Sequence, residues 1–197
     1  MQEKNQKKNK KKGCLLLGIL LILIGTGMVL IKYYQRNEIQ DLEENNINDF
    51  YELQEEKVEE NVYREPYLAV LKIDKINLER GIYSINSKNN NVNKNIQLLK
   101  ESNLPDKENG NVIIAGHSGN SYKAYFKNLV KLNNGDEAEI VYNGKTYIYS
   151  LSNSYEVEKT GRVEISRNIN KQTLTLITCK HNTNKQIVFV FELKNII

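Results

Sequence analysis

The distribution of apolar and polar residues divides the chain into four stretches. Residues 1–13 are basic, with lysines clustered between positions 7 and 12. Cys14 to Ile31 contains no charged residue and consists mainly of Leu, Ile and Gly. At about 1.5 Å per residue, about 18 helical residues cross a bilayer core of roughly 30 Å. The pattern therefore predicts a transmembrane helix over 14–31.

Two interpretations of this helix compete: a cleaved signal peptide and an uncleaved signal anchor. The apolar run is longer than the roughly 7 to 15 residues of a usual signal-peptide core, and no Ala-x-Ala cleavage site follows it. Basic residues before an apolar span stay in the cytoplasm. We expect a single-pass anchor with a cytoplasmic basic tail, 1–13, and with the remainder of the chain outside the cell.

Residues 32–65 are polar and rich in Glu, Asn and Asp, and their few apolar residues recur at loosely helical intervals. No Gly or Pro interrupts the stretch after Gln35. This composition predicts a solvated helical stalk or linker. A self-associating coiled coil is the alternative, but the apolar spacing does not hold a heptad.

Pro66 marks the predicted start of one domain, 66–197, in which the periodicity becomes alternating. Asn143-Gly144 predicts a hairpin turn, because both residues tolerate positive φ. Helical pieces are predicted around 93–101 and 121–129. Seven or so short strands with few helices favour a closed or nearly closed β-barrel. The predicted strands are 67–73, 76–78, 111–115, 137–142, 145–151, 173–178 and 186–193.

Charge changes this picture little. The formal net charge of +4 is concentrated in the first dozen residues, so the external part is close to neutral or acidic. A nucleic-acid partner would need a basic stripe on the folded domain. We therefore expect no nucleic-acid partner.

Two residues are candidates for chemistry. Cys179 ends the apolar strand Thr173–Thr178, and His117 follows the apolar strand Asn111–Ala115 between two glycines. Alone, each residue is more simply interpreted as structural: an inert buried thiol and an exposed or structural imidazole. Together, at the ends of two strands of one barrel, they form a nucleophile and acid/base pair suited to acyl transfer.

The residues around these two positions resemble the sortases, the cysteine transpeptidases of Gram-positive cell surfaces. Thr175-Leu176-Ile177-Thr178-Cys179 is similar to the TLxTC signature of that family. The segments 103–106 and 110–117 are similar to the region around its catalytic histidine. Leu71 to Leu78 resembles its paired first strands, with Asp74 where proline is usual. The ordered series spans 67–193.

The resemblance implies a mainly β fold, an eight-stranded sortase-type barrel with a few short helices. It implies that Cys179 attacks the Thr–Gly bond of an LPxTG-like sorting signal and forms a thioester. His117 would protonate the departing amine, and a peptidoglycan-precursor or pilin amine would then resolve the thioester. The resemblance implies no cofactor for this chemistry. Some family members bind calcium, and no calcium site is assigned here.

One departure from the family concerns the arginine that usually follows the cysteine. By the register of the following apolar residues, Gln186 occupies its place, and an amide can donate a hydrogen bond to an oxyanion without supplying charge. Lys185 is adjacent but should point to the opposite face of the strand. Arg162 and Arg167 are loop cations that could supply the charge, although a non-catalytic role is the simpler expectation.

Three further questions stay open at this level. His181 lies two residues beyond Cys179, and we expect it to be exposed or in the substrate groove instead of acting as the base. The short segments around Cys179 favour a housekeeping-like or class D-like sortase. A membrane-anchored thiol peptidase that transfers the acyl group to water, and a sortase-like binding module with weakened catalysis, are the alternative functions.

Overall fold

The computed structural model describes residues 2–54 and 65–197, and it describes side chains at 17–52 and 65–197. The chain divides into two compact units, Met1–Leu42 and Glu43–Ile197. Residues 55–64 of the predicted stalk, and the side chains of the predicted basic tail, lie outside the described residues.

A single helix, α1 (Gln2–Gln54), contains the predicted transmembrane segment. Among the described residues it is the one helix long and apolar enough to cross a membrane, and none of its apolar window is buried by protein. Thr26 donates its hydroxyl to the carbonyls of Ile22 and Leu23, so this polar group is satisfied within the helix. The first unit therefore meets the length and composition requirements of a membrane anchor.

The last turns of α1 belong to the second unit. Ile47 and Phe50 are 8% and 5% exposed, and they pack with Tyr67 and Val70 of the sheet domain. Tyr67 fits closely here because Gly81 has no side chain: a Cβ at Gly81 would lie 2.1 Å from the Tyr67 ring. This end of α1 is thus part of the folded domain.

Eight strands form one sheet in the order β2-β1-β5-β6-β8-β7-β4-β3. All neighbours are antiparallel except β4 and β7, which are parallel. The Asn143-Gly144 hairpin between β5 and β6 is confirmed, with φ of 49° and 70°. The strands are β1 (Ala69–Ile73), β2 (Leu78–Ile82), β3 (Gln97–Leu98), β4 (Asn111–Ala115), β5 (Glu137–Tyr142), β6 (Lys145–Glu158), β7 (Thr173–Cys179) and β8 (Lys185–Ile196).

The sheet ends at the edge strands β2 and β3. Asn95, two residues before β3, bonds to residues of β2. Its side chain donates to the carbonyl of Gly81 at 2.7 Å and accepts two hydrogen bonds from Arg80 at 2.8 and 3.1 Å. Asn95 is 3% exposed and Arg80 is 9% exposed, so these bonds are made away from water. The mainly β, eight-stranded barrel is confirmed, in a nearly closed form.

Alternation along the strands gives the barrel two apolar layers. The interior contains Leu174 and Leu176 of β7 together with Phe189 and Phe191 of β8. A second layer, the outer cluster, lies on the other face of β4, β7 and β8. Its buried members are Ile113, Ile177, Val188 and Val190, and its partly buried members are Leu99, Tyr155, Val157, Val163 and Ile165.

Two predicted helical pieces are wrong. Residues 93–101 form turns and the short strand β3, and residues 121–129 form turns that lead into a 3₁₀ helix, Leu129–Lys131. A second 3₁₀ helix, Asp74–Ile76, replaces the start of the predicted strand 76–78, and β2 begins at Leu78. In the first case Asn91 accepts the N–H groups of Asn93, Lys94 and Asn95, a turn that competes with helix formation.

Candidate active site

The parallel pairing of β4 and β7 brings Cys179 and His117 to the same end of the barrel. Ala115 and Ile177 are paired residues at the ends of the two strands. Continuing this register by two residues places His117 beside Cys179. Both side chains are half-buried. The sequence predicted the two strand ends, and the pairing of the strands makes them neighbours.

Three hydrogen bonds hold the histidine loop against the end of β7. The Gly116 N–H donates to the carbonyl of Ile177 at 3.1 Å. The Thr178 hydroxyl donates to the carbonyl of Gly116 at 2.8 Å, and the Ser118 hydroxyl donates to the carbonyl of Cys179. Thr178, the residue before Cys179, therefore ties the end of β7 to the backbone just before His117.

Gly116 is required by packing and not by an unusual φ. A Cβ at this position would lie 2.7 Å from the ring of Phe126, which is fully buried. The Phe126 N–H also donates to the carbonyl of His117 at 2.9 Å. Phe126 thus packs against the loop at Gly116, and the adjacent His117 side chain stays half-buried. Gly119, three residues after Gly116, has a φ of +110°, which favours glycine.

Cys179 shares a face of β7 with Ile177, because successive side chains in a strand alternate. Ile177 belongs to the outer cluster, so the thiol lies at the end of an apolar surface on the outside of the barrel. Tyr155 holds part of the segment before β7 over this surface, accepting from Ser166 N–H at 2.7 Å and donating to the carbonyl of Glu164 at 3.2 Å. This segment covers the buried members of the outer cluster, and Cys179 lies at its edge, half-buried.

Gln186 is the residue of β8 directly opposite Cys179. It is half-buried and, by the same pairing, lies on the same face. The adjacent Lys185 is engaged elsewhere: its ammonium lies 3.7 Å from Glu156 and 3.8 Å from Glu158. The structure therefore brings Cys179, His117 and Gln186 to one end of one face.

The two loop arginines are not joined to this group. Arg167 donates to the carbonyls of Asn168 and Lys171 in its own loop, at 3.3 and 3.2 Å. Arg162 is exposed. Within residues 65–197 neither arginine forms a hydrogen bond or ion pair with Cys179, His117 or Gln186, so a cation for an oxyanion is not supplied from there in this structure.

His117 has a side-chain partner that sequence reasoning missed. Asn93 Oδ1 lies 3.2 Å from His117 Nε2. The predicted helix over 93–101 concealed this contact, and the only signal was the run of asparagines around Asn93. His181 is exposed, and its Nδ1 would lie 3.6 Å from a Cβ at Gly119.

Metal-binding groups are not clustered in this region. The described part of the chain contains no group of three or more His, Cys, Asp or Glu side chains placed to hold a metal ion. The residues gathered at this end of the barrel are Cys179, His117, Gln186 and Asn93, and the side-chain contact among them is the one between Asn93 and His117. A thiol can form a covalent acyl intermediate, and an imidazole can protonate the leaving amine.

Comparisons with solved structures give the same fold. The Clostridium perfringens Sortase D5 transpeptidase has a TM-score of 0.63 at 23% identity, covering 79% of this chain and 99% of that chain. Sortase A of Listeria monocytogenes has a TM-score of 0.56 at 20% identity, covering 66% and 88%. Sortase A of Corynebacterium diphtheriae has a TM-score of 0.58 at 23% identity, covering 67% and 62%.

Sequence comparison identifies the family. No curated protein matches the chain significantly. A family model of the sortase domain matches residues 71–194, which extend from β1 to β8 and include the strand that ends in Cys179. The chain therefore belongs to the sortase family of transpeptidases.

Proposed function

We propose that the protein is a membrane-anchored cysteine transpeptidase that cleaves an LPxTG-like sorting signal and joins the surface protein to a cell-wall or pilin amine. The observation that carries the proposal is the register of β4 and β7, which pairs Ala115 with Ile177, two residues before His117 and Cys179. Family membership supports the reaction class, and the nearness of these two strand ends supports the choice of Cys179 and His117 as the reacting pair.

In the first half-reaction the Cys179 thiolate attacks the carbonyl carbon of the threonine. The Thr–Gly C–N bond breaks, His117 in its imidazolium form gives a proton to the departing glycine nitrogen, and a thioester remains on sulfur. Gln186, opposite Cys179, is proposed to donate its amide N–H to the oxyanion of the tetrahedral intermediate.

In the second half-reaction an amine attacks the thioester carbonyl. His117 now accepts the proton of the attacking amine, and the thiolate of Cys179 leaves. The new amide bond joins the cleaved protein to the acceptor.

The test is to mix the full chain in detergent with an LPxTG peptide and follow intact mass. We expect a thioester adduct at Cys179, an amide product when triglycine is added, and neither with Cys179→Ala. Cleavage to the free acid alone, with triglycine present, would indicate the thiol peptidase. A Cys179 that fails to react even with a substrate-mimic thiol reagent would indicate a binding module with no catalysis.

The proposed topology places 1–13 in the cytoplasm and 66–197 outside, on the apolar helix and the basic residues before it. Protease added to intact cells should digest the barrel domain and leave a tag fused to the N-terminus protected. Protection of the barrel domain would reverse the proposed orientation. We propose no cofactor for the reaction and assign no calcium site.

A further inference from the structure

The loop between β2 and β3 brings one side chain to the imidazole of His117. Asn93 Oδ1 lies 3.2 Å from His117 Nε2. Within the described residues this is the only side-chain hydrogen bond of the His117 ring. An amide oxygen accepts hydrogen bonds and does not donate them, so with Oδ1 facing the ring the contact pairs it with a protonated Nε2.

Asn93 is fixed along its backbone at both ends. Its N–H donates to Asn91 Oδ1 at 2.8 Å, and its carbonyl accepts from Lys123 Nζ at 2.8 Å. Asn91 also accepts the N–H groups of Lys94 and Asn95 through its carbonyl, each at 2.9 Å. These backbone hydrogen bonds fix the turn around Asn93 independently of the contact between its side chain and His117.

The turn is also anchored to the barrel edge, two residues further along. Asn95 accepts from Arg80 and donates to the Gly81 carbonyl in a buried site. The Arg80 guanidinium stacks over the ring of Tyr125 at 3.8 Å and pairs with Glu43 at 3.0 Å. A loop with one end fixed by a buried guanidinium holds its other contacts in a narrow range of positions.

We propose that Asn93 is a positioning residue that holds His117 with the proton on Nε2, so that Nδ1 is the nitrogen that exchanges a proton during the reaction. The proposal rests on the proposed function. In neutral His117 the Nε2 proton is donated to Asn93 and Nδ1 is an acceptor. When Nδ1 takes a proton, the Nε2 bond is unchanged, and the same ring orientation serves both half-reactions.

An amide suits this role because it does not titrate. A carboxylate at the same place would hold the ring equally well, but its negative charge would favour the imidazolium form. The base would then be protonated over a wider pH range, and the second half-reaction, which needs neutral imidazole, would slow at neutral pH. An amide and a carboxylate at position 93 are therefore expected to give different pH profiles.

The first test is the tautomer itself. The chain contains two histidines, so histidine-selective ¹⁵N labelling of the full chain in detergent gives two ring systems, and His181→Asn assigns them. We expect neutral His117 to show Nε2–H, and we expect Asn93→Ala to shift it toward a mixture of tautomers. A His117 ring that is Nδ1–H in the unsubstituted protein would overturn the proposal.

The second test is kinetic. Asn93→Ala should lower kcat for acyl-enzyme formation about 10- to 100-fold, part of the gain that general acid–base catalysis gives, with little change in KM. Asn93→Asp should recover most of this rate and, because acyl-enzyme formation uses the imidazolium form, move the falling limb of its pH profile to higher pH. Asn89→Ala is the matched control, since Asn89 lies in the same loop and bonds to Glu65 and Lys94.

The outcomes separate this proposal from the proposed function. Adduct formation by the unsubstituted chain, together with equal rates and an equal tautomer in Asn93→Ala, would remove Asn93 from the mechanism and leave the transpeptidase in place. If the unsubstituted chain forms no adduct, the proposed transpeptidase activity is wrong, and the tautomer measurement still decides whether Asn93 positions His117. A loss of rate in Asn89→Ala equal to that in Asn93→Ala would reduce Asn93 to general loop stability and overturn the positioning role.

Discussion

Cys179 and Gln186 are directly opposite each other across β7 and β8, and their side chains share the outer face of the barrel. Directly opposite residues in an antiparallel pair have Cβ atoms about 4.5–5.5 Å apart. A hydrogen-bond donor on Gln186 is therefore within reach of an oxyanion formed on a carbonyl attacked by Cys179. This relationship supports the expectation from sequence that Gln186 takes the place of the family's arginine.

Gln186→Ala is expected to slow thioester formation, because the oxyanion loses a donor. The loss should approach the roughly 100-fold cost of removing one oxyanion-hole donor. Gln186→Arg should raise the rate above that of the unsubstituted chain, because a charged donor stabilises an oxyanion more strongly. Single-turnover mass spectrometry of the acyl-enzyme measures both. Lys185→Ala, on the adjacent residue that pairs with Glu156 and Glu158, is the control. An unchanged rate in Gln186→Ala would remove the assignment.

The two histidines are expected to differ sharply. His117→Ala should reduce acyl-enzyme formation about 10²- to 10⁴-fold, the usual contribution of a general acid–base. His181→Ala should change it little, because His181 is exposed in the turn after β7, whereas His117 continues the register of the paired strands. Rates from the same peptide cleavage assay decide between them. Loss of activity in His181→Ala alone would exchange the two roles.

Thr178→Val is expected to affect both stability and activity. The substitution keeps the shape of the side chain but removes the hydroxyl that donates to the Gly116 carbonyl, at a cost of about 1 kcal/mol or more. It also loosens the histidine loop beside Cys179, so kcat should fall. Thr173→Val is a matched control at the other end of β7, where the hydroxyl donates to Asn111. Urea unfolding should show similar losses for the two variants, and only Thr178→Val should lose activity.

Glu43→Gln is expected to destabilise the domain, because it leaves the Arg80 guanidinium without its counter-ion. The two side chains are 12% and 11% exposed, and breaking a buried pair from one side costs about 3–5 kcal/mol. Glu43 also accepts from the Gly81 N–H at 3.0 Å and from the Tyr67 hydroxyl at 2.7 Å. Burial and this carboxylate raise the pKa of Tyr67, so the phenol stays a donor.

The measurement for Glu43 is the midpoint of urea unfolding of the full chain in detergent, followed by barrel-domain tyrosine fluorescence. Glu44→Gln is the control, since Glu44 is exposed one residue further along α1. If the end of α1 were only a solvated stalk, both variants would unfold at the same urea concentration. A lower midpoint in Glu43→Gln alone is the expected result.

The strands of the barrel were largely predictable, because their patterns are local. The apolar run that ends in Cys179 and the Asn143-Gly144 turn both gave the correct elements. The two-residue strand β3 was missed, since two residues are too few to show a period. The helix predicted over 93–101 was wrong because the side chains of Asn90 and Asn91 bond the backbone there, and the helix predicted over 121–129 was wrong because that stretch forms turns, with Ser121 accepting the Lys123 N–H.

The candidate site was predictable in its residue types and not in its arrangement. Cys179, His117 and Gln186 were identified from strand ends and from resemblance, and their catalytic roles stay predictions. Asn93 was missed, because its contact with His117 joins residues 24 positions apart through a turn that has no apolar pattern. The packing of Ile47 and Phe50 against the sheet was also hidden in a stretch that is polar overall.

The sequence by itself determined an apolar helix, a mainly β domain and a thiol at the end of a buried strand, because hydrophobic periodicity and turn residues act over a few positions. Only the tertiary structure decided which strands are neighbours. The parallel register of β4 and β7 brings together the strand ends that lead to His117 and Cys179, and the antiparallel register of β7 and β8 sets Gln186 across from Cys179. These pairings depend on burying two apolar faces of one sheet at once, a condition that no single segment contains.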